Sequence, residues 1–208
     1  MTEQEKKTEE VIFDAAKDVF IEKGFDGARM QEIAEKAKIN KALLHYYYRT
    51  KEKLFDAIFG KALGDFVPSI ANILESDVSI FKKIEFFVKN YIDLIQRNPH
   101  IPSFVLHELN RNPKRLVEII GHKSGLIKNN AFGKFSEMVK NEVEKGIIEP
   151  VKPEQILVNI IGLCIFPFVA KPIIQGVIFR NDKKKYNEFL NERKKEVAKF
   201  VIDAIRKR

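Results

Sequence analysis

The side chains able to bind or transform something are few in this chain. His100, His107 and His122 follow no recognised zinc-ligand spacing, and no HExxH occurs. There is no Walker phosphate loop and no Gly-rich dinucleotide turn, so no metal, cofactor or catalytic centre is expected. Cys164, the lone cysteine, lies in an apolar run with no base near it in sequence, where a thiol reads as a small core hydrophobe. What remains is a local concentration of charge. Between positions 36 and 53 the cations are Lys36, Lys38, Lys41, Arg49, Lys51 and Lys53, against the single acid Glu52, and Tyr46, Tyr47 and Tyr48 lie among them. Cations and aromatics in one short stretch suit contact with the phosphates and base edges of a nucleic acid. The whole chain carries a formal charge of +8 with a pI near 9.4, yet from Met1 to Phe55 eleven Lys/Arg meet eleven Asp/Glu. The positive charge is therefore focused on that stretch rather than spread over its surroundings.

Such a stretch needs elements to hold it. Thr8 to Lys23 is predicted as an amphipathic helix, because Ile12, Ala15, Ala16, Val19 and Phe20 recur at i, i+3, i+4, i+7 and i+8. Lys23 followed by Gly24 supplies its stop. Met30, Ile33, Ala34 and Ala37 repeat the spacing over a second, short helix. Ile39 is expected to plug the turn after it, with Asn40 capping a third helix from Lys41 to Tyr47. Leu44 and Tyr48 should face inward, leaving Lys41, Ala42, His45 and Tyr46 outward. Thr50 is placed to cap a fourth helix, with Glu52 in its first turn. A helix, a tight turn and a short helix with an exposed basic and aromatic face make a helix-turn-helix.

These residues resemble the N-terminal DNA-binding domain of the TetR family of bacterial transcriptional regulators. The resemblance rests on Ile12, Ala15, Ala16, Phe20, Gly24-Phe25, Ile33-Ala34, Ala37, Ile39, Lys41, Leu44, Tyr47, Tyr48 and Lys51-Glu52-Lys53-Leu54, over about the first quarter of the chain. It implies an N-terminal three-helix helix-turn-helix DNA-binding domain over 1–55 and a larger C-terminal helical domain over 56–208 for ligand binding and dimerisation. It assigns groove or base-edge contacts to Gln31, Lys41, Ala42, Leu43 and Tyr46, and phosphate contacts to Arg29, Asn40, His45, Tyr47 and Lys51. A glutamine can bond an adenine bidentately, and Ala42 or Leu43 can meet a thymine methyl. The chain departs from the family's usual residues at Ala28, Arg29, Lys38, Asn40, Ala42, Leu43 and His45, where Thr or Ser (28 and 29), Gly, Ser, Gly, a small or polar residue and Tyr are common. Lys38 is thereby placed in a left-handed turn, at a cost of roughly 1 kcal/mol.

Beyond this unit, Leu54, Phe55, Ile58, Phe59, Ala62, Leu63 and Phe66 continue a stripe into a long helix, which Pro68 kinks without ending and Ser76-Asp77 breaks. Further helices are expected from Ile80 to Ile95, stopped by Asn98-Pro99, from Ile101 to Asn110, from Asn112-Pro113 onward, and from Phe132 to Val143, ending at Gly146. Residues 156–179 have the composition of a membrane span, but Asn159, Pro167, Lys171 and Pro172 interrupt them, and a buried helix that meets a partner subunit is the preferred reading. The final helix, Lys184 to Lys207, carries Phe189, Leu190, Val197, Phe200, Val201 and Ala204 on one stripe. The basic cluster from Arg180 to Arg208 reads as a solvated face, since Glu188, Glu192, Glu196 and Asp203 are interspersed. No strand pattern or repeat stands out, and the chain reads as all-α.

The resemblance further implies a homodimer on a palindromic operator of double-stranded DNA, paired through the C-terminal helices, and a small-molecule effector that relieves repression. Phe66, Ile70, Phe87, Tyr91, Phe104, His107, Glu108 and Phe132 are candidate lining residues for that effector, although for most of them individually a place in the core is the better reading. His107-Glu108 either orients a ligand or holds a neighbouring helix. The charged start, MTEQEKKTEE, lacks a signal-peptide pattern, so the cytoplasm is the expected compartment. The competing class is a helical membrane-associated or protein-adaptor module built on 156–179, without specific DNA binding.

Overall fold

The first predicted stripe folds as α1 (Glu3–Gly27), and Ile12, Ala15, Ala16, Val19 and Phe20 are all buried. The structure, a computed structural model, describes residues 3–99, 101–111, 113–123 and 127–207, without the side chains of Ile21, residues 62–67, Ala71, Phe104, His107, Glu108, Arg111, Arg115, Ile119, His122 and Lys123. The helix starts before the expected Thr8, because the Glu, Gln and Lys residues ahead of it favour helix even where no apolar stripe marks them. Its regular part is interrupted at Gly24, whose φ of 68° and ψ of 177° suit glycine alone. That break turns Phe25 into the core.

Three elements follow: α2 (Met30–Lys36), α3 (Lys41–Tyr47) and α4 (Lys51–Glu75). An aromatic cluster holds α1 to the start of α4. The ring of Phe55 meets Phe20 at 5.0 Å and Phe25 at 5.4 Å between centroids, both edge to face. Leu54, Ile58 and Phe59 are buried with it. Pro68 lies inside α4, and the helix ends just before Ser76, both as the sequence suggests.

The remaining elements are α5 (Ile80–Arg97), α6 (Ile101–Arg111), α7 (Pro113–Val117) with a π-helical turn (Glu118–Lys123), α8 (Ala131–Glu144), α9 (Pro153–Val169), α10 (Lys171–Ile173) with a second π-helical turn (Ile174–Ile178), and α11 (Lys183–Ile205). The protein is all-α. Among the described residues no strand occurs, only one antiparallel bridge between Ile148 and Arg206.

The chain forms two compact units, Met1–Gly64 with Asn98–Ser124 and Asp65–Arg97 with Gly125–Arg208. In the second, Ile80, Ile84, Val88 and Ile92 of α5 pack with Ile156, Ile160 and Cys164 of α9 and with Val197, Val201, Ile202 and Ile205 of α11. Each such side chain contributes roughly 1.5–3 kcal/mol by leaving water. Cys164 is part of this core, and burial pushes its thiol up to about 12.

The apolar run 156–179 is not one rod. Pro167 has no N–H to give the carbonyl four residues earlier, Leu163, and Arg193 of α11 donates to that carbonyl instead, at 2.8 Å. The Tyr186 hydroxyl donates to the carbonyl of Pro167 at 3.0 Å. The helix ends at Val169, and the chain turns by 59° into the next segment. No single helix among the described residues is long and apolar enough to cross a membrane.

Candidate nucleic-acid interface

The connection between α2 and α3 is a closed helix-capping turn. Lys38 N–H donates to the carbonyl of Glu35 at 3.1 Å, and Ile39 N–H donates to that of Ala34 at 3.0 Å. This is the Schellman pattern, with Lys38 at the left-handed position, φ 55°. A lysine thus occupies the glycine position, as its place in the sequence suggests. Ile39 is half-buried, a looser plug than expected. Asn40 then caps α3: its backbone is extended, and its Oδ1 accepts from the N–H of Leu43 at 2.7 Å.

Seven residues make α3, and its two faces differ. Leu44 is buried and so is Tyr48, the residue that ends the helix. Lys41, Ala42 and Tyr46 are exposed, Tyr46 at 77%, while Leu43, His45 and Tyr47 are half-buried. The rings of Tyr46 and Tyr47 meet edge to face at 5.6 Å. His45 Nδ1 lies 3.1 Å from the carbonyl of Arg49, which can only accept, so Nδ1 carries the hydrogen.

Ion pairs lock α2 onto α1. Lys23 Nζ meets Glu32 at 2.9 Å, and Lys36 Nζ meets Asp18 at 3.1 Å. The hydrogen bond from Lys23 holds the Glu32 carboxyl below the usual carboxylate range. Both pairs are at the surface, so they orient more than they stabilise. Lys36 is accordingly spent on α1. Gln31 donates to Glu35 at 2.8 Å along α2, and Arg29, exposed and extended, precedes the helix without a side-chain cap.

Two anchors were not legible in the sequence. The Tyr48 hydroxyl donates to the Glu9 carboxylate of α1 at 2.5 Å, across 39 residues. A hydroxyl on a core tyrosine needs a partner, which is the one signal that points toward such a bond. The other is Lys51, to which the resemblance gives a phosphate contact. Its Nζ donates to the carbonyls of Phe25 at 2.7 Å, Ala28 at 3.1 Å and Asp26 at 3.3 Å, and lies 4.6 Å from the centre of the Phe25 ring. Gly24 turns the end of α1, with its carbonyls, toward the start of α4, and an ammonium there meets acceptors at once.

Of the eight candidates for an effector site, four have described side chains. In the second unit Ile70 is buried, Phe87 and Tyr91 are half-buried with ring centroids 6.0 Å apart, and Phe132 is exposed at 48%. The side chains of Phe66, Phe104, His107 and Glu108 lie outside the described residues. No group of three or more His, Cys, Asp or Glu placed to hold a metal occurs among the described residues.

The chain is similar to known proteins in sequence and in fold. The family model described as bacterial regulatory proteins, tetR family, matches residues 12–58. Over 198 residues the chain is 24% identical to the HTH-type transcriptional regulator RutR of Escherichia coli (strain K12), spanning 95% of this chain and 90% of that protein. It is 36% identical over 64 residues to the HTH-type transcriptional repressor NicS of Pseudomonas putida, spanning 31% of this chain and 30% of that protein. A crystal structure of a linker-substituted mutant of HlyIIR superposes with a TM-score of 0.68 at 24% identity, over 98% of this chain and 97% of that one. The regulator FadR from Bacillus subtilis, in complex with stearoyl-CoA, superposes with a TM-score of 0.63 at 15% identity, over 90% of this chain and 96% of that one. At these identities the structural likeness is one of fold.

Proposed function

We infer, for a chain whose residues 12–58 belong to the tetR family of bacterial regulatory proteins, that it is a DNA-binding transcriptional regulator. The observation that carries this is α3. Its buried side is fixed by Leu44 and Tyr48, its first turn is capped by Asn40, its opposite side presents Ala42 and Tyr46 to solvent, and Lys41 is exposed at its start. A rod of that size fits the major groove, where base edges are distinguishable. Gln31, Lys41, Ala42, Leu43 and Tyr46 face base edges in this account, and Arg29, Asn40, His45 and Tyr47 face phosphates.

One short helix reads few base pairs, so two copies act together on a palindrome. Val158, Ile161 and Phe166 of α9 and Phe200 of α11 are exposed apolar side chains in the second unit, and a second copy would cover them. Control is by a small molecule that prefers the arrangement unable to bind DNA, and repression is the resting state. The side-by-side rings of Phe87 and Tyr91 suit an effector with a large apolar part. The protein works in the cytoplasm, where its operator is, and catalyses no reaction. Footprinting of the DNA flanking its own gene tests the proposal: a protected palindrome is expected, and uniform affinity for all duplexes contradicts it.

A further inference from the structure

We propose that Lys51 is a positioning residue for the DNA-facing edge of α2, acting through Arg29 and touching no phosphate itself. This rests on the DNA-binding reading above and assigns a part within it. All three N–H groups of the ammonium have a carbonyl within reach, from Phe25, Asp26 and Ala28, and the charge also sits over the Phe25 ring. The carbonyl of Ala28 belongs to the peptide unit that carries the N–H of Arg29. Fixing that carbonyl fixes the plane from which Arg29 departs.

The local chain needs such a strut. Beyond Gly24 it turns away from the helical path, and the Ala28 N–H reaches the Gly24 carbonyl at 3.3 Å. Arg29 itself is extended, with φ −119° and ψ 139°, and its own side chain makes no cap hydrogen bond. Lys51 opens α4, so its side chain braces the corner between α1 and α2 from a third helix, beside the Lys23–Glu32 pair. An ammonium so engaged would have to abandon three acceptors to reach a phosphate, and its departure would leave part-buried carbonyls without that donor.

A double-mutant cycle on the footprinted operator decides the matter. Lys51→Met keeps the stem over Phe25 and removes the donors. In the parent background it should lower operator affinity roughly tenfold. In the Arg29→Ala background it should change neither the affinity nor the slope of log K against log salt. A direct phosphate contact by Lys51 would instead weaken binding in both backgrounds. It would also cut the slope in the Arg29→Ala protein by about 0.9 per protomer, and that result overturns the proposal. A purely structural role would give equal losses in both backgrounds with no change of slope, and overturns it too. If Lys51→Met fails to fold, the same cycle is run with Lys51→Gln, whose amide still donates to one carbonyl. A parent protein that footprints nowhere would refute the DNA-binding reading itself, an outcome distinct from these.

Discussion

Tyr48 and Glu9, 39 residues apart, share a 2.5 Å hydrogen bond that ties the end of α3 to α1. The ring of Tyr48 is buried and meets Phe13 edge to face at 5.9 Å, so α3 is anchored at its C-terminal cap by both a charge and a ring. Burial and then the Glu9 carboxylate push the Tyr48 phenol well above its ordinary range, and it stays a donor. Tyr48→Phe should therefore cost about 1.5–3 kcal/mol, seen as a lower urea midpoint with an unchanged slope. A midpoint equal to the parent's would mean the bond contributes nothing.

The turn between α2 and α3 carries two opposed contributions. Lys38, at φ 55°, occupies a position that glycine fills without steric cost, and Lys38→Gly should stabilise by about 0.5–1 kcal/mol. Asn40→Ala removes the cap of α3 and should destabilise by about 0.5–2 kcal/mol. Urea melts of the two variants, moving in opposite directions, check the assignment of the turn.

Much of this arrangement was legible in the sequence, for a physical reason. Stripes such as Ile12 to Phe20 or Ile80 to Ile92 encode which face of a helix is buried, and Gly24, Lys38, Asn40 and Thr50 encode local backbone events that depend on few neighbours. What escaped depends on distant parts of the chain meeting. The end of α1 reaches Lys51 after a turn at Gly24, and Arg193 reaches the carbonyl that Pro167 leaves bare. No periodicity records either event. The run 156–179 shows the limit from another side: it is mostly apolar throughout, and the bend after Val169 lies where Pro167 and the partners on α11 meet.

Asp93 makes the second unit sensitive to acid. Its carboxylate receives Lys194 of α11 at 2.6 Å and Lys89 of α5 at 2.9 Å. Burial alone would raise it, but hydrogen bonds from Lys194 and Lys89 outweigh that and hold it below the usual carboxylate range. A depressed folded value means that the pair stabilises at neutral pH and that this part is lost as pH falls through the folded value. Asp93→Asn should be less stable than the parent near neutrality and should lose less on acidification. Parallel acid limbs for the two proteins would contradict this.

The exposed apolar side chains of α9 and α11 predict self-association. Phe166 is 62% and Phe200 67% exposed, and replacing both by Glu should convert a dimer into a folded monomer at micromolar concentration. Sedimentation velocity distinguishes the species. A parent that sediments as a monomer at the same concentration removes the basis for two-copy binding.

The central claim is that the outward side of α3 recognises DNA, and titration of a labelled operator with Lys41→Ala and Tyr46→Ala proteins tests it most directly. Both side chains are exposed, Lys41 at the start of α3 and Tyr46 on the side opposite the buried Leu44. Each variant is expected to keep the parent's urea midpoint and to lose about 1–3 kcal/mol of specific affinity. If both bind the operator as tightly as the parent, α3 is not the element that touches the bases.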